Sequence, residues 1–195
     1  MSVQSFLIGS AILLSSTLGF ASASQSEVRG VFGVRSTSLT AQGTGTTYSA
    51  KTGLQGGVLI DINMTESLGL ITGGLYTQRN ATFDSAGTKG SVAFSYIDIP
   101  GYLSFHINPI AKVYGGIFFG LKASESCELD VGGTCTLTDS KSSIFGIGAG
   151  VAVEINEYFG IDFYLDRGIG LMYGTSTSGA GDPMGFGVNL SVYFN

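Results

Sequence analysis

The chain has 195 residues and a net charge of −5, and only 12% of its residues are charged. This acidic balance, without a cluster of Lys or Arg, argues against a nucleic-acid partner. The mean hydropathy is +0.34, yet no internal run of about twenty apolar residues predicts a membrane-spanning helix. The apolar residues are therefore dispersed, as they are in alternating strands.

The N-terminus has the pattern of a secretory signal. The apolar stretch "FLIGSAILLSSTLGF" is followed by the small residues Ala21, Ser22 and Ala23, which is typical of a cleavage site. We predict a signal peptide over 1–23 and a single barrel domain over 24–195. An uncleaved membrane anchor is the alternative, although no basic residue flanks the run.

Eight segments of the remaining chain alternate between apolar and polar residues, the period of a β-strand. The connections between them alternate in length, and the long ones are 36–52, 80–90, 123–142 and 172–183. Short turns at one end and long loops at the other predict an antiparallel up-and-down array. The predicted strands, in chain order, are 27–35, 53–62, 67–79, 91–105, 112–122, 145–155, 159–166 and 184–194.

The two faces of these strands differ in composition, and the difference indicates whether each face contacts lipid or water. One face is rich in large aliphatic residues and Phe and is nearly free of charge, whereas a water-exposed face normally carries many polar residues. The opposite face carries glycines, tyrosines and isolated charges of both signs. We interpret this as an eight-stranded transmembrane β-barrel with lipid outside and a small charged lumen. A soluble lipocalin-like binder with the faces reversed is the alternative.

The charges on the predicted inner face would balance if they met in one lumen. In "YIDIP", 96–100, the carboxylate of Asp98 points inward and Pro100 is expected to mark a bulge or bend. We predict a lumen charge network, which comprises Arg29, Arg35, Asp61, Asp98, Lys112, Lys122, Glu154, Asp162 and Asp166.

Cys127 and Cys135 are the only two cysteines and flank the turn-like segment "ELDVGGT". In an exported protein this spacing predicts a disulfide that closes a small loop. Two free thiols are the alternative. Without neighbouring histidines, the pair does not form a metal site.

Several motifs resemble the small outer-membrane β-barrel proteins of the porin-like superfamily, and especially the PorT-type barrel domain. The motifs are "GLYTQRN" (74–80), "YIDIP" (96–100), "VYGGIFFGLK" (113–122), "FGIGAGVAVEI" (145–155) and "DFYLDRGIGL" (162–171). The resemblance covers most of 27–195 and implies a bacterial outer-membrane location. Outer-membrane lipid and the barrel assembly machinery are the implied partners. Family strands often end in a terminal Phe, whereas here Asn195 follows Phe194.

Catalytic chemistry is poorly supported by the sequence. His106, the only histidine, is predicted in a solvent-facing turn at the short-turn end, opposite the end where barrel enzymes that modify lipids place catalytic groups. We therefore expect no enzyme, no cofactor and no metal. The leading hypothesis is a non-enzymatic barrel that has a structural role or binds an unidentified extracellular ligand through four long loops. The alternatives are a narrow channel for small solutes and an outer-membrane lipid-modifying enzyme.

Overall fold

A computed structural model describes residues 26–42, 45–137, 139–175 and 178–194. The predicted signal peptide, 1–23, lies outside the described residues. The described strands are β1 Ser26–Gln42, β2 Thr46–Asn63, β3 Leu68–Ser85, β4 Thr88–Asn108, β5 Ala111–Leu129, β6 Ser143–Glu154, β7 Phe159–Ile169, β8 Leu171–Thr175 and β9 Ser178–Phe194. No helix among the described residues is long and apolar enough to cross a membrane.

The strands form one antiparallel sheet that closes into a ring. Each strand from β1 to β6 pairs with the next one along the chain, and β9 pairs with β7, β8 and β1. Gly170, with φ of 102°, separates β7 from β8. Since β8 pairs with the same neighbour as β7, it continues that wall of the ring. The predicted eight-stranded up-and-down barrel is thus confirmed.

The two ends of the ring are unequal. We call the end with the connections 64–67, 109–110 and 155–158 the short-turn end. The opposite end, where β1–β2, β3–β4, β5–β6 and β8–β9 are joined, is the hairpin end. The sequence predicted correctly which connections lie at each end of the ring.

Alternation along the strands places large apolar residues on the outside of the ring, as expected. In β1, Val28, Phe32 and Val34 face outward, and Phe32 is 64% exposed, while Arg29 and Arg35 are buried inside. The outward apolar belt continues around the ring with Leu54, Val58, Ile97, Ile99, Leu103, Phe105, Ile117, Phe119, Leu121, Phe145, Ile147, Phe163, Leu165, Ile169, Met184, Phe186 and Leu190.

Three of the four predicted long loops are wrong, because the strands run on through them. β1 extends to residue 42 and pairs there with β9, β3 extends to residue 85 and pairs there with β2 and β4, and β8 and β9 pair with each other through the predicted loop 172–183. The remaining long connection is 130–142. Pairing continues because the inward residues of these extensions bury one another, as described below.

Of the bulge or bend predicted at Pro100, the register excludes the bulge. In the β4–β5 ladder the register shifts at Ser95/Tyr96 and at His106/Asn108 instead. Pro100 pairs in register with Phe118. Proline has no N–H to donate, and toward β3 the ladder omits residues 99 and 100 without changing register.

Candidate functional site in the lumen and at the hairpin end

Six of the inward-facing charged side chains meet near the short-turn end, in a group that we call the lower cluster. The guanidinium of Arg29 lies 2.6 Å from Asp162 Oδ2 and 3.3 Å from Asp61 Oδ2. Lys112 Nζ lies 2.5 Å from the same Asp61 oxygen. Two half-exposed carboxylates, Glu27 and Glu154, each lie 3.6 Å from Lys112 Nζ.

Four further charges form an upper cluster, which lies closer to the hairpin end. Arg79 donates to Asp98 Oδ2 at 2.8 Å and to Asp166 Oδ2 at 3.3 Å. Arg35 donates to the other oxygen of Asp166 at 2.7 Å. Two guanidinium groups thus face two carboxylates, all buried. Buried charges persist only when they are paired in this way.

The structure therefore brings together eight of the nine residues predicted for the network, in two clusters instead of one. Sequence reasoning missed Arg79 and omitted Glu27. Arg79 ends the predicted strand 67–79, whose apolar residues fall on both parities and conceal which side faces inward. Arg79, Ile71 and Thr77 occupy alternate positions of β3 and are all buried. The sequence alone does not show that this set of alternate positions is the one that faces inward.

Lys122 does not join either cluster, which corrects the predicted network. Its Nζ lies 2.6 Å from Glu125 Oε2 and 2.6 Å from Ser140 Oγ, at the hairpin end. Lys122 has the inward parity, but it lies beyond the level of the upper cluster, where a nearer carboxylate from its own strand meets it. The contact fastens the connection 130–142 to β5.

Between the two clusters the lumen narrows to a small cavity. Its lining includes Tyr102, Tyr114, Gln55 and Asn189, and about 30 Å³ is open to the centres of water molecules. That is space for about two waters. The rings of Tyr102 and Tyr114 stack with centroids 5.6 Å apart, and Tyr164 donates to Gln55 Oε1. Side chains therefore occupy most of the lumen at this level, as expected for eight strands.

Above the upper cluster, the hairpin end is filled by apolar side chains. We call this group the outer core, which comprises Leu39, Ala81, Val92, Phe94, Ile144, Met172 and Ala180, all buried. Tyr173 stacks on Phe94 with centroids 5.7 Å apart and shares a hydrogen bond with Tyr48. Burial raises the pKa of Tyr173 above its usual value, and the hydrogen bond with Tyr48 adds to this.

A disulfide closes a small hairpin beside the outer core. Cys127 is bonded to Cys135, and the N–H of Cys135 donates to the carbonyl of Cys127 at 3.2 Å. Cys127 packs into the outer core, while Val131 at the tip of the hairpin is 88% exposed. The structure thus presents an apolar residue to solvent at the end of a cross-linked hairpin.

The described residues offer little to a catalytic mechanism. The contact among Lys122, Ser140 and Glu125 brings a hydroxyl to a lysine, but the lysine is also ion-paired with the carboxylate, which accepts a hydrogen bond from the hydroxyl. Hydrogen bonds from Lys122 and Ser140 lower the pKa of Glu125 below its usual value, which also favours the charged pair. Within the described part of the chain, no group of three or more His, Cys, Asp and Glu residues is placed to hold a metal ion.

His106 lies in β4 instead of in the predicted turn, and it is half-buried. With Glu27, Asn63 and Glu154 it lines a vestibule at the short-turn end. Ser26 lines the same vestibule, and the ring Nδ1 of His106 has no hydrogen-bond partner among the described residues.

Comparisons with known proteins agree with this architecture. The model of the family described as "Outer membrane protein beta-barrel domain" matches residues 12–174. A comparison with curated protein sequences found no match.

Two solved structures are similar to the chain over most of its length. The attachment invasion locus protein Ail of Yersinia pestis, solved in complex with the heparin analogue sucrose octasulfate, is 14% identical with a TM-score of 0.54. Neisserial surface protein A is 11% identical with a TM-score of 0.52. Each alignment covers 87% of this chain and 99% of the other. At such identities the likeness shows the fold alone.

Proposed function

The chain belongs to the family of outer membrane protein β-barrel domains, and on this premise we propose that it acts as a closed, non-enzymatic barrel that makes contacts outside the cell through its hairpin end. Its location is the bacterial outer membrane. In such barrels the short turns face the periplasm and the longer connections face the exterior. The longest connection of the described part of the chain, 130–142, lies at the hairpin end, so we take this end as the extracellular one.

The observation that carries this proposal is the outer core. A transmembrane strand needs about 9–11 residues, whereas β1 has 17 and β4 has 21. The excess length projects at the hairpin end and buries side chains of its own, with Phe94 and Met172 almost fully covered. A filled projection supports the presentation of a rigid surface and disfavours the passage of solutes.

The alternative of a narrow channel is tested by conductance. In planar lipid bilayers, the purified barrel is expected to show no stable open-channel steps, while a large porin in the same bilayers shows them. Reproducible steps that change in size when Arg79 or Asp98 is substituted would contradict a closed lumen.

The proposed contact role is tested by attachment. A non-adherent Gram-negative host that expresses the barrel is expected to attach to a serum-coated surface in larger numbers than the host with an empty vector. Val131→Ser, which removes the exposed apolar tip of the disulfide hairpin, is expected to lower the count. Equal attachment with and without the barrel, at equal surface levels, would contradict the proposal.

The Ail structure was solved with a heparin analogue, but the charges of this chain do not favour such a polyanion. The hairpin end carries Lys51, Lys89, Lys122 and Lys141 against Asp84, Glu125, Glu128, Asp130 and Asp139. Lys89 lies 3.8 Å from Asp84, and Lys122 is paired with Glu125. We therefore expect the extracellular contact to be apolar or neutral in character.

A further inference from the structure

A groove crosses the outward face of β6 and β7 inside the apolar belt. It consists of two adjoining depressions that share Ala149 and Leu165 in their linings. Its floor is low because Ala149 pairs with Gly115 across the β5–β6 ladder, and neither residue projects far. The walls are apolar side chains, which include Ile147, Val151, Phe163, Met184 and Phe186.

Arg167 lies at the end of this groove that is nearer the hairpin end. Its side chain is 59% exposed, and its neighbours on the same face of β7, Leu165 and Ile169, are exposed apolar residues. Across the ladders it pairs with Ile147 and Met184. Among the described residues, it is the only charged side chain with outward apolar neighbours on both sides of its strand.

A cation on a lipid-facing surface is unfavourable unless its charged end reaches water or an anion. The partner within the chain is Asp182, whose Oδ2 lies 3.1 Å from Arg167 Nη2. Asp182 is itself held by the N–H of Gly170 at 2.9 Å. A guanidinium has five N–H donors arranged as a fork that matches phosphate geometry, so this one contact leaves most of its donor capacity available.

The length of the groove fits one leaflet. From Phe163 to Arg167 the strand advances by roughly 13 Å, which at a tilt of about 40° crosses about 10 Å of depth, most of one leaflet of a hydrocarbon core about 30 Å thick. Because the hairpin end is extracellular, Arg167 lies toward the outer leaflet, at the level where the phosphates of lipid headgroups are found.

We propose that this groove binds one lipid of the outer leaflet, with an acyl chain along Ala149 and Leu165 and a headgroup phosphate on Arg167. The proposal rests on the outer-membrane location and on the orientation given under Proposed function, with the hairpin end extracellular, and is independent of whether that end makes extracellular contacts. In this arrangement Asp182 positions the guanidinium and also competes with the phosphate for it.

Lipid retention on the folded, detergent-purified barrel tests this, measured by native mass spectrometry. The probes are bis-phosphorylated lipid A, the same lipid A with its phosphates removed, and inorganic phosphate as a competitor. The wild type is expected to bind the phosphorylated lipid about tenfold more tightly than the dephosphorylated one. Each variant is first checked for folding by its heat-dependent gel mobility.

Three variants and two controls separate the contributions. Arg167→Gln is expected to abolish the preference for phosphate, and Asp182→Asn, which keeps an acceptor for Gly170, is expected to preserve or strengthen it. Ala149→Phe, which fills the groove, is expected to weaken binding of both lipids at least fivefold. Two control variants are expected to leave binding unchanged. Lys89→Gln removes a cation that lies beyond the belt, and Gly74→Phe adds a side chain where a Cβ meets nothing within 4 Å.

Two results would overturn the proposal. One is equal retention of the phosphorylated lipid by the wild type and a folded Arg167→Gln variant, which would make the Arg167–Asp182 pair a structural contact. The other is loss of lipid from the wild type in millimolar inorganic phosphate while Ala149→Phe has no effect, which would indicate a phosphate site without a lipid chain.

Discussion

Arg79 shows how a single buried charge organises the lumen. Its guanidinium bridges Asp98 and Asp166 and lies 5.2 Å from the ring centroids of both Tyr96 and Phe118. The same side chain therefore joins the upper cluster to the aromatic residues beneath the outer core. The ionic and apolar layers of the barrel interior meet at this residue.

Replacing Arg79 is expected to destabilise the barrel strongly. Arg79→Met retains much of the side-chain volume but leaves Asp98 without its cation and Asp166 with Arg35 alone. Breaking a buried ion pair by removing one partner costs about 3–5 kcal/mol, and this is the loss expected in the free energy of unfolding, measured with urea in lipid vesicles.

The matched control is Lys89→Met, at an exposed ion pair of the hairpin end. Exposed pairs contribute about 0–1 kcal/mol, so this variant should unfold close to the wild type. Equal unfolding midpoints for the two variants would contradict the role assigned to Arg79.

Residue identity alone predicted most of the charges that face inward but not how they group. Arg29, Asp61 and Asp162 alternate with clear apolar neighbours, so their facing was readable. The facing of Arg79 was not, because its strand is apolar on both parities. The division into two clusters depends on the stagger between neighbouring strands. This stagger is a property of the closed ring and cannot be predicted from the sequence of any single strand.

At the scale of the strand, the apolar residues change from the outward face to the inward face partway along. In β1 the outward residues change from Phe32 and Val34 to Ser36 and Ser38, while the inward residues change from Arg35 to Leu39. The strand crosses from lipid to water at this point, so the apolar face moves from outside to inside. The sequence located the lipid-facing parts of the strands well. Their continuations beyond the membrane were predicted as loops because an apolar outward face was expected along the whole of each strand.

The contact among Lys122, Glu125 and Ser140 is expected to make the connection 130–142 sensitive to acid. The pKa of Glu125 is lowered by hydrogen bonds from Lys122 and Ser140. A carboxylate with a lowered pKa stabilises the fold above its ordinary pKa, and this contribution is lost as the pH falls through the lowered value. Amide hydrogen exchange of 139–143, corrected for intrinsic rates, should therefore accelerate below about pH 4.

Two glutamine variants make this test specific. Glu125→Gln should show the faster exchange already at neutral pH and little further change on acidification. Glu128→Gln, three residues along the same strand, should keep the pH dependence of the wild type. An acid-induced change of equal size in Glu125→Gln would assign the effect to another group.

The disulfide hairpin is expected to depend on its cross-link for local order. Closing a loop of this size contributes about 2–3 kcal/mol on the chain-entropy model, and Cys127 also packs into the outer core. Replacing both cysteines with serine should speed amide exchange in 127–135 at least tenfold. The strands within the belt should be unaffected, and faster exchange throughout the barrel would contradict a local role.

At the scale of the whole molecule, the barrel has two solvents and two cores. Within the membrane, lipid covers the apolar belt and the interior is ionic, whereas at the hairpin end water covers the strands and the interior is apolar. The ring geometry is continuous through both regions. The side chain that suits a position is therefore set by its height along the barrel as well as by its parity.

This arrangement predicts that substitution to lysine destabilises the barrel at one outward position and has almost no effect at another. Phe186 is 52% exposed within the belt, and Phe186→Lys places a charge in lipid, at an expected loss of about 2–4 kcal/mol. Thr82 is exposed on the outward face of β3 at the hairpin end, where Thr82→Lys meets water and should change stability by less than about 0.5 kcal/mol. Urea unfolding in vesicles measures both. If the two lysines were equally tolerated, the outward face of the belt would be in water and not in lipid, whereas a Phe186→Lys variant that failed to fold at all would favour the soluble alternative, in which Phe186 faces the core.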